Sequence, residues 1–246
     1  MAPSHDGPPG QAAVRDLLWG QRPPGQRGPR PTLSVAEVAR AGVAVGDAEG
    51  IGAVTMQRVA DELGVTKMAL YRYLPGKAEL VALMIDIGLG EPPRLSDVAG
   101  GWRPRLLAWS RRLFEAFRRH PWALEATVGV RVMGPNELGW LEEAVATLTG
   151  TGLDGGQMLD VAAMLVGHAR AIAQQAAAIT GDSPERAMDD ALAALVSGRE
   201  DRFPALAAAL SSAATSGSKD QALEFGFDRI LDGVELLIAS RSREDG

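Results

Sequence analysis

The sequence predicts an all-α protein, and three observations carry that expectation. Apolar residues recur at i, i+3, i+4 and i+7 through most of the chain from Val35 onward, the spacing that lines one face of a helix. No segment alternates apolar and polar residues for long enough to make a sheet. Helix start signals punctuate the chain: the capping box Ser34-Val35-Ala36-Glu37, Ser183 ahead of Pro184, and Ser218 three residues before Gln221.

Taken in order, residues 1–32 are rich in Pro, Gly and Gln and read as a flexible N-terminal arm. Within it, Val14-Arg15-Asp16-Leu17-Leu18-Trp19 can form a helical turn docked on a neighbour. A Pro- and Gly-rich tether with Arg22, Arg27 and Arg30 follows. It reads either as a solvated tail or as an arm along a DNA groove, with Arg27 and Arg30 as candidate contacts. Ordered structure is expected from about Ser34. Behind the capping box, Val35, Val38, Ala39 and Val43 share the face of a helix that fades near Asp47, before Gly50 and Gly52.

A second helix is expected after Thr55, with Met56, Val59, Ala60 and Leu63 at helical spacing, ending at Gly64, which suits a left-handed turn. Thr66 caps a third short helix with Ala69, Leu70 and Tyr73, Pro75-Gly76 breaks it, and a fourth runs from Lys77 to about Leu89. Further helices are expected near 102–119, 121–128, 136–149, 155–179, 184–196, 204–214 and 219–241. The resulting division is an arm over 1–32, a small helical head over 33–80 and a larger helical domain over 81–242.

Composition narrows the chemistry. Of 246 residues, 46% are hydrophobic and 23% charged, enough for a proper core. Without cysteine the chain has no disulfide, thiolate metal site or cysteine nucleophile. Its three histidines, His5, His120 and His168, are too scattered to imply a metal, and no cofactor is expected. Phosphate loops, nucleophile elbows and metal-ligand helix motifs are absent. Glu142-Glu143 and Asp189-Asp190 are adjacent, so neither pair shares a helical face. An enzyme is therefore disfavoured. The most apolar stretch, Met158 to Ile179, is broken by Asp160, His168, Arg170, Gln174 and Gln175, and no leader pattern opens the chain, so a cytoplasmic protein with no membrane span is expected.

The net charge of −6 looks wrong for a nucleic-acid binder, but it is unevenly spread. Residues 1–90 carry nine Lys/Arg and nine Asp/Glu, leaving 16 and 22 of the totals of 25 and 31 for residues 91–246. The head is neutral and the bulk acidic. From Thr55 to Lys77 the balance turns basic, with Arg58, Lys67, Arg72 and Lys77 against Asp61 and Glu62.

Two short helices joined by a tight turn in such a segment suit a helix-turn-helix, although a small bundle shows the same pattern. A recognition helix offers its first residues to base edges in the major groove. Here those are Thr66, Lys67 and Met68, with Tyr71 and Arg72 further along the exposed side. Lysine reaches guanine acceptors, and threonine and methionine pack against a thymine methyl. Thr55 and Lys77 stand at helix starts, where phosphate meets free amides. Tyr71 can reach phosphate; Tyr73 reads equally as a contact or as core.

The whole run from Thr55 to Leu80, TMQRVADELGVTKMALYRYLPGKAEL, resembles the DNA-binding signature of the TetR family of regulators. The resemblance implies that the helix after Thr66 is the reader and that Tyr71, Tyr73 and Lys77 grip the DNA backbone. It also implies a downstream domain for a small molecule and for dimerisation, with repression as the habitual outcome. The later half is less diagnostic; Arg202-Phe203-Pro204-Ala205-Leu206 and Phe225 to Gly233 are its most suggestive segments. In this reading Phe227, Ile230, Leu231, Val234, Leu237 and Ile238 form a dimer interface, with Gly226 and Gly233 allowing close approach. The stripe alone fits packing within its own domain as well. Trp109, His120, Met133, Trp140, Met164, His168 and Gln175 are candidates for an apolar effector pocket, and individually they equally suit a plain core. Expected partners are a palindromic double-stranded operator, a largely apolar effector and a second copy of the chain. A ligand-independent DNA-binding regulator remains the alternative.

Overall fold

The computed structural model describes residues 9–20, 33–129, 131–178, 184–216 and 221–244. Among the described residues all regular structure is helical, in the order α1 (Pro9–Leu18), α2 (Val35–Glu49), α3 (Met56–Glu62), α4 (Lys67–Leu70), α5 (Lys77–Leu89), α6 (Trp102–Arg119), α7 (Ala123–Ala126), α8 (Pro135–Leu148), α9 (Gly155–Ala178), α10 (Pro184–Val196), α11 (Pro204–Ser216) and α12 (Ala222–Glu244), with one 3-10 turn at Leu95–Asp97. The expected helices are present within a few residues of their predicted ends. The helix expected over 121–128 contracts to α7, because Thr127 folds its hydroxyl back to the Ala123 carbonyl and Gly129 takes a φ of 87°. The caps predicted at Ser183 and Ser218 lie outside the described residues.

Packing divides the chain into two compact units, residues 1–151 and 152–246. That division falls later than the motif boundary at residue 80. The reason is α5, which forms the head core with α2 and also packs on α6, α7 and α8. In the head, Val38, Ala39, Val59, Ala60, Leu70, Leu74, Leu80 and Met84 are fully buried, and a buried Leu or Val of this kind contributes about 1.5–3 kcal/mol. Gly42 is where α2 and α5 press closest: a Cβ there would lie 2.8 Å from Met84 Sδ. The Ser34 capping box is complete, and the Ser34 hydroxyl, then its amide, hold the Glu37 carboxyl below its ordinary pKa.

Behind the head, indole N–H groups tie the remaining helices of the first unit. Trp109 donates to the Trp140 carbonyl at 2.8 Å and Trp140 to the Gly90 carbonyl at 3.1 Å. Asp47, at the end of α2, accepts from Trp122 Nε1 and pairs with His120 Nδ1, both at 2.7 Å. Asp86 of α5 caps α8, its Oδ1 accepting the amides of Asn136 at 2.9 Å and Glu137 at 3.1 Å. Burial raises the Asp86 pKa, against the lowering effect of those two amides.

In the second unit α9 and α12 pack together and run antiparallel, with Asp154 near Arg241 and His168 beside Leu223. Helices α10 and α11 pair with each other.

Candidate nucleic-acid interface

The reading segment is built by two threonine caps and one glycine. Thr55 opens α3 by accepting the Arg58 amide at 3.0 Å, and Thr66 opens α4 by accepting the Ala69 amide at 3.3 Å. Between them Gly64 takes a φ of 65°, a conformation that favours glycine, and the Val65 amide closes onto the Ala60 carbonyl. Val59, Ala60 and Leu70 are buried, so the orientation of α4 is fixed by core packing and its outward residues are held in place.

The outward face carries the residues expected of a reader. Thr66 and Lys67 are exposed, and Met68 is 72% exposed at the tip of α4. An exposed methionine here leaves an apolar group for a base edge, which core packing gives no reason to place there. The Lys67 ammonium stands 5.9 Å from the centroid of the Tyr71 ring, inside cation–π range. Tyr71 and Arg72 are exposed as well. Tyr73 is half-buried, and its ring packs against the head core. Thr55 is exposed at the start of α3. Lys77 is exposed at the start of α5, its Nζ 3.4 Å from the Ile51 carbonyl, and Gly76 supplies no side-chain cap to that helix. Arg27 and Arg30 lie outside the described residues.

The basic surplus of the segment is narrower than the sequence count. Arg58 pairs with Glu49 at 2.8 Å and with Glu62 at 2.9 Å. Those carboxylates, Glu49 first, raise its pKa and hold it against α2 and α3. Lys67, Arg72 and Lys77 carry the outward positive charge.

The candidate pocket residues are divided between the two units. Trp109, 2% exposed, and Trp140 pack on each other with ring centroids 6.2 Å apart. His120 stands elsewhere, in the Asp47 contact, stacked at a tilt on Trp122. Met133 is exposed in the loop before α8, and its carbonyl accepts from Trp19 Nε1. Met164, His168 and Gln175 are on α9 in the second unit; Met164 and Gln175 are exposed, and His168 Nε2 lies 3.0 Å from the Leu223 carbonyl.

The interface candidates also separate. Phe227 and Leu231 are fully buried in the single chain, Phe227 edge-on to His168. Gly226 likewise makes room for the His168 ring, an intramolecular neighbour. Ile230, Val234 and Leu237 line an apolar groove of about 460 Å³ with Val161 and Met164 of α9, and Ile238 is half-buried. The large apolar side chains exposed on these two helices are Leu159, Met164, Phe225 and Leu236. Phe225 and Leu236 are absent from the interface candidates because they fall off the most regular stripe of α12. Asp47 and Asp86 escaped the sequence reading because both partners of each are distant in sequence.

The family model described as "Bacterial regulatory proteins, tetR family" matches residues 38–84, and "Tetracyclin repressor-like, C-terminal domain" matches residues 93–238. The chain belongs to the TetR family. Among relatives, the HTH-type transcriptional repressor DrrR1 of Streptomyces coeruleorubidus is 37% identical over 246 residues, spanning 95% of this chain and 88% of the relative. The structure of apo ActR from Streptomyces coelicolor superposes with a TM-score of 0.73 at 24% identity, covering 88% of this chain and 100% of that one. ActR in complex with (S)-DNPA gives 0.70 at 25% identity, covering 83% and 98%. The TetR-family match places α3 and α4 in the family's DNA-binding model and α6 to α12 within or across its regulatory one. This TetR protein is a transcriptional regulator. Among its described residues no helix is long and apolar enough to cross a membrane.

Proposed function

We propose that this TetR-family regulator represses transcription by binding a palindromic operator as a homodimer, and that a largely apolar small molecule releases it without any catalytic step. The observation that carries the reading is the outward array on α4, with Lys67 and Met68 presented to solvent by a helix whose other face is buried. Thr66 joins that array at the base edges, Thr55, Tyr71, Arg72 and Lys77 surround it and suit phosphate, and Arg27 and Arg30 are assigned to the arm. A single small head buries too little DNA for tight binding, so two heads on half-sites about 34 Å apart supply the affinity.

Support for an effector comes from the relationship to ActR, whose structure holds (S)-DNPA. Such a ligand acts by favouring a dimer geometry whose head separation mismatches the operator. A ligand-independent regulator is the second reading. It is favoured by the commitment of the polar tips of Trp109, Trp140, His120 and His168 to internal partners.

The experiment is a fluorescence titration of the protein against labelled DNA from upstream of its own coding region, at stated salt, with and without Lys67→Ala. Tight binding that Lys67→Ala weakens mainly on the specific site supports the reading. Binding no tighter than to random DNA refutes it for that site and sends the search to genome-wide selection. A screen for small molecules that release the bound DNA then separates the two readings.

A further inference from the structure

Helix α1 precedes both family-model matches, the earlier of which starts at residue 38, and nothing in the proposed DNA reading uses it. It is nevertheless built into the first unit. It lies against α5, with Leu18 buried in the head core and Val14 and Leu17 packed beside it. One residue beyond its end, Trp19 reaches across to donate from Nε1 to the Met133 carbonyl at 3.2 Å. The loop that receives this bond leads into α8, and the start of α8 is held to α5 by Asp86 from the other direction. The Asn136 side chain returns a bond to the Asp86 carbonyl at 3.0 Å. Gly134 lets the Asp86 carboxylate this close, since a Cβ there would overlap it.

These contacts make α5 the helix whose position sets the head. It carries Leu80 and Met84 into the core shared with α2, and the same helix meets α6, α7 and α8. A shift of α5 against α8 therefore moves α2 and, through it, α3 and α4. We propose that α1 is a strap across this junction, in which Leu18 and Trp19 are positioning residues that fix α5 against the 131–134 loop and so fix how the recognition helix is presented. The strap is additional to the head's own core. Among the described side chains of α1 only Leu18 is buried, whereas the head retains nine fully buried core residues without it. Trp19 is exposed enough for its donor to be removed without opening a cavity.

The inference rests on the proposed DNA reading for its consequence, but its structural content can be tested separately. Hydrogen–deuterium exchange is measured on the full chain, as wild type, Leu18→Asp and Trp19→Phe. A buried aspartate expels α1, so Leu18→Asp raises exchange about tenfold over 77–90 and 131–137 and leaves α9 and α12 unchanged. Trp19→Phe keeps an aromatic side chain, though a smaller one, and loses the hydrogen bond to Met133, so a rise of about two- to tenfold appears over 131–137 alone. That variant decides the matter if Leu18→Asp does not fold. No rise at either segment, or a rise shared equally by α9 and α12, overturns the strap.

A functional arm uses operators whose half-sites are moved by one base pair. Leu18→Asp is expected to lose discrimination between spacings about fivefold, a readout that loss of stability alone leaves unmoved. An unchanged spacing profile overturns the positioning role. If the wild type binds no site specifically, the DNA reading fails, and the exchange data still decide the strap.

Discussion

The imidazole of His168 occupies the space that a side chain at Gly226 would need. The ring reaches α12 with Nε2 3.0 Å from the Leu223 carbonyl, and Phe227 meets it edge-on at 5.1 Å between centroids. Helix propensity alone makes Gly226→Ala stabilising by about 1 kcal/mol. Overpacking costs about 1–3 kcal/mol, and the ring cannot retreat cheaply from its carbonyl and its aromatic neighbour. Gly226→Ala is therefore expected to lower stability in urea unfolding followed by circular dichroism. In a His168→Ala background the same change is expected to be neutral or favourable. Equal effects in both backgrounds would show that the contact does not constrain α12.

Asp86 yields a pH prediction because its carboxyl titrates above the ordinary range in the folded chain. Burial is the largest cause, only partly offset by the amides of Glu137 and Asn136. A raised carboxyl pKa means that the folded state binds the proton more tightly. The Asp86 contribution to stability is then greatest below the unfolded pKa of about 4. It falls as pH rises through the native value and is flat above it. Asp86→Asn retains an acceptor for the amides and removes this slope, so the gap between wild type and variant narrows toward acid. Asp86→Ala leaves two amides at the α8 start without their acceptor and costs about 1–2 kcal/mol at neutral pH. Urea midpoints between pH 4 and 8 check both.

The legible part of this structure is local. Capping boxes, the glycine at 64 and 3.6-residue spacing located α2 to α5 because those signals lie within a few residues of each other. The outward placement of Lys67 and Met68 followed from the same periodicity. The pocket and interface assignments were harder, because an apolar side chain at helical spacing looks the same whether it faces its own unit or a partner. Phe227 and Leu236 sit on one helix, yet the first is fully buried and the second is 70% exposed. Only the placement of α9 decides between them. Asp47 and Asp86 were illegible for a related reason, since their partners lie some 50 to 75 residues away.

Lys67 and Lys77 are expected to differ in kind when operator binding is measured across a salt series. If Lys67 reads a base, as proposed, Lys67→Ala costs about 1–3 kcal/mol on the specific site, with little change on random DNA. If Lys77 meets phosphate, as proposed, Lys77→Ala removes that contact at an α5 terminus that no side chain caps. It is expected to weaken specific and random DNA alike and to reduce the slope of log affinity against log salt by about 0.9 per half-site contact. The same profile from both variants would contradict the division of roles on α4 and α5.

The exposed apolar residues of α9 and α12 give the sharpest test of assembly. Leu236 is 70% and Phe225 64% exposed, on the helix whose Phe227 and Leu231 are already buried. Leu236 is not held in the core of its unit, and an exposed leucine of this size is available to an interaction site. If a second copy covers it, two-fold symmetry brings each Leu236 into the shared interface. Leu236→Glu then buries two unpaired carboxylates and is expected to halve the mass seen by sedimentation while leaving the helical signal intact. Operator affinity is expected to fall more than tenfold, because each head then binds alone. Phe227→Ala is the control: it cuts into the unit's own core, costs about 3–5 kcal/mol, and lowers the melting temperature before any change in mass. A Leu236→Glu protein that stays dimeric places the partner surface on a different face.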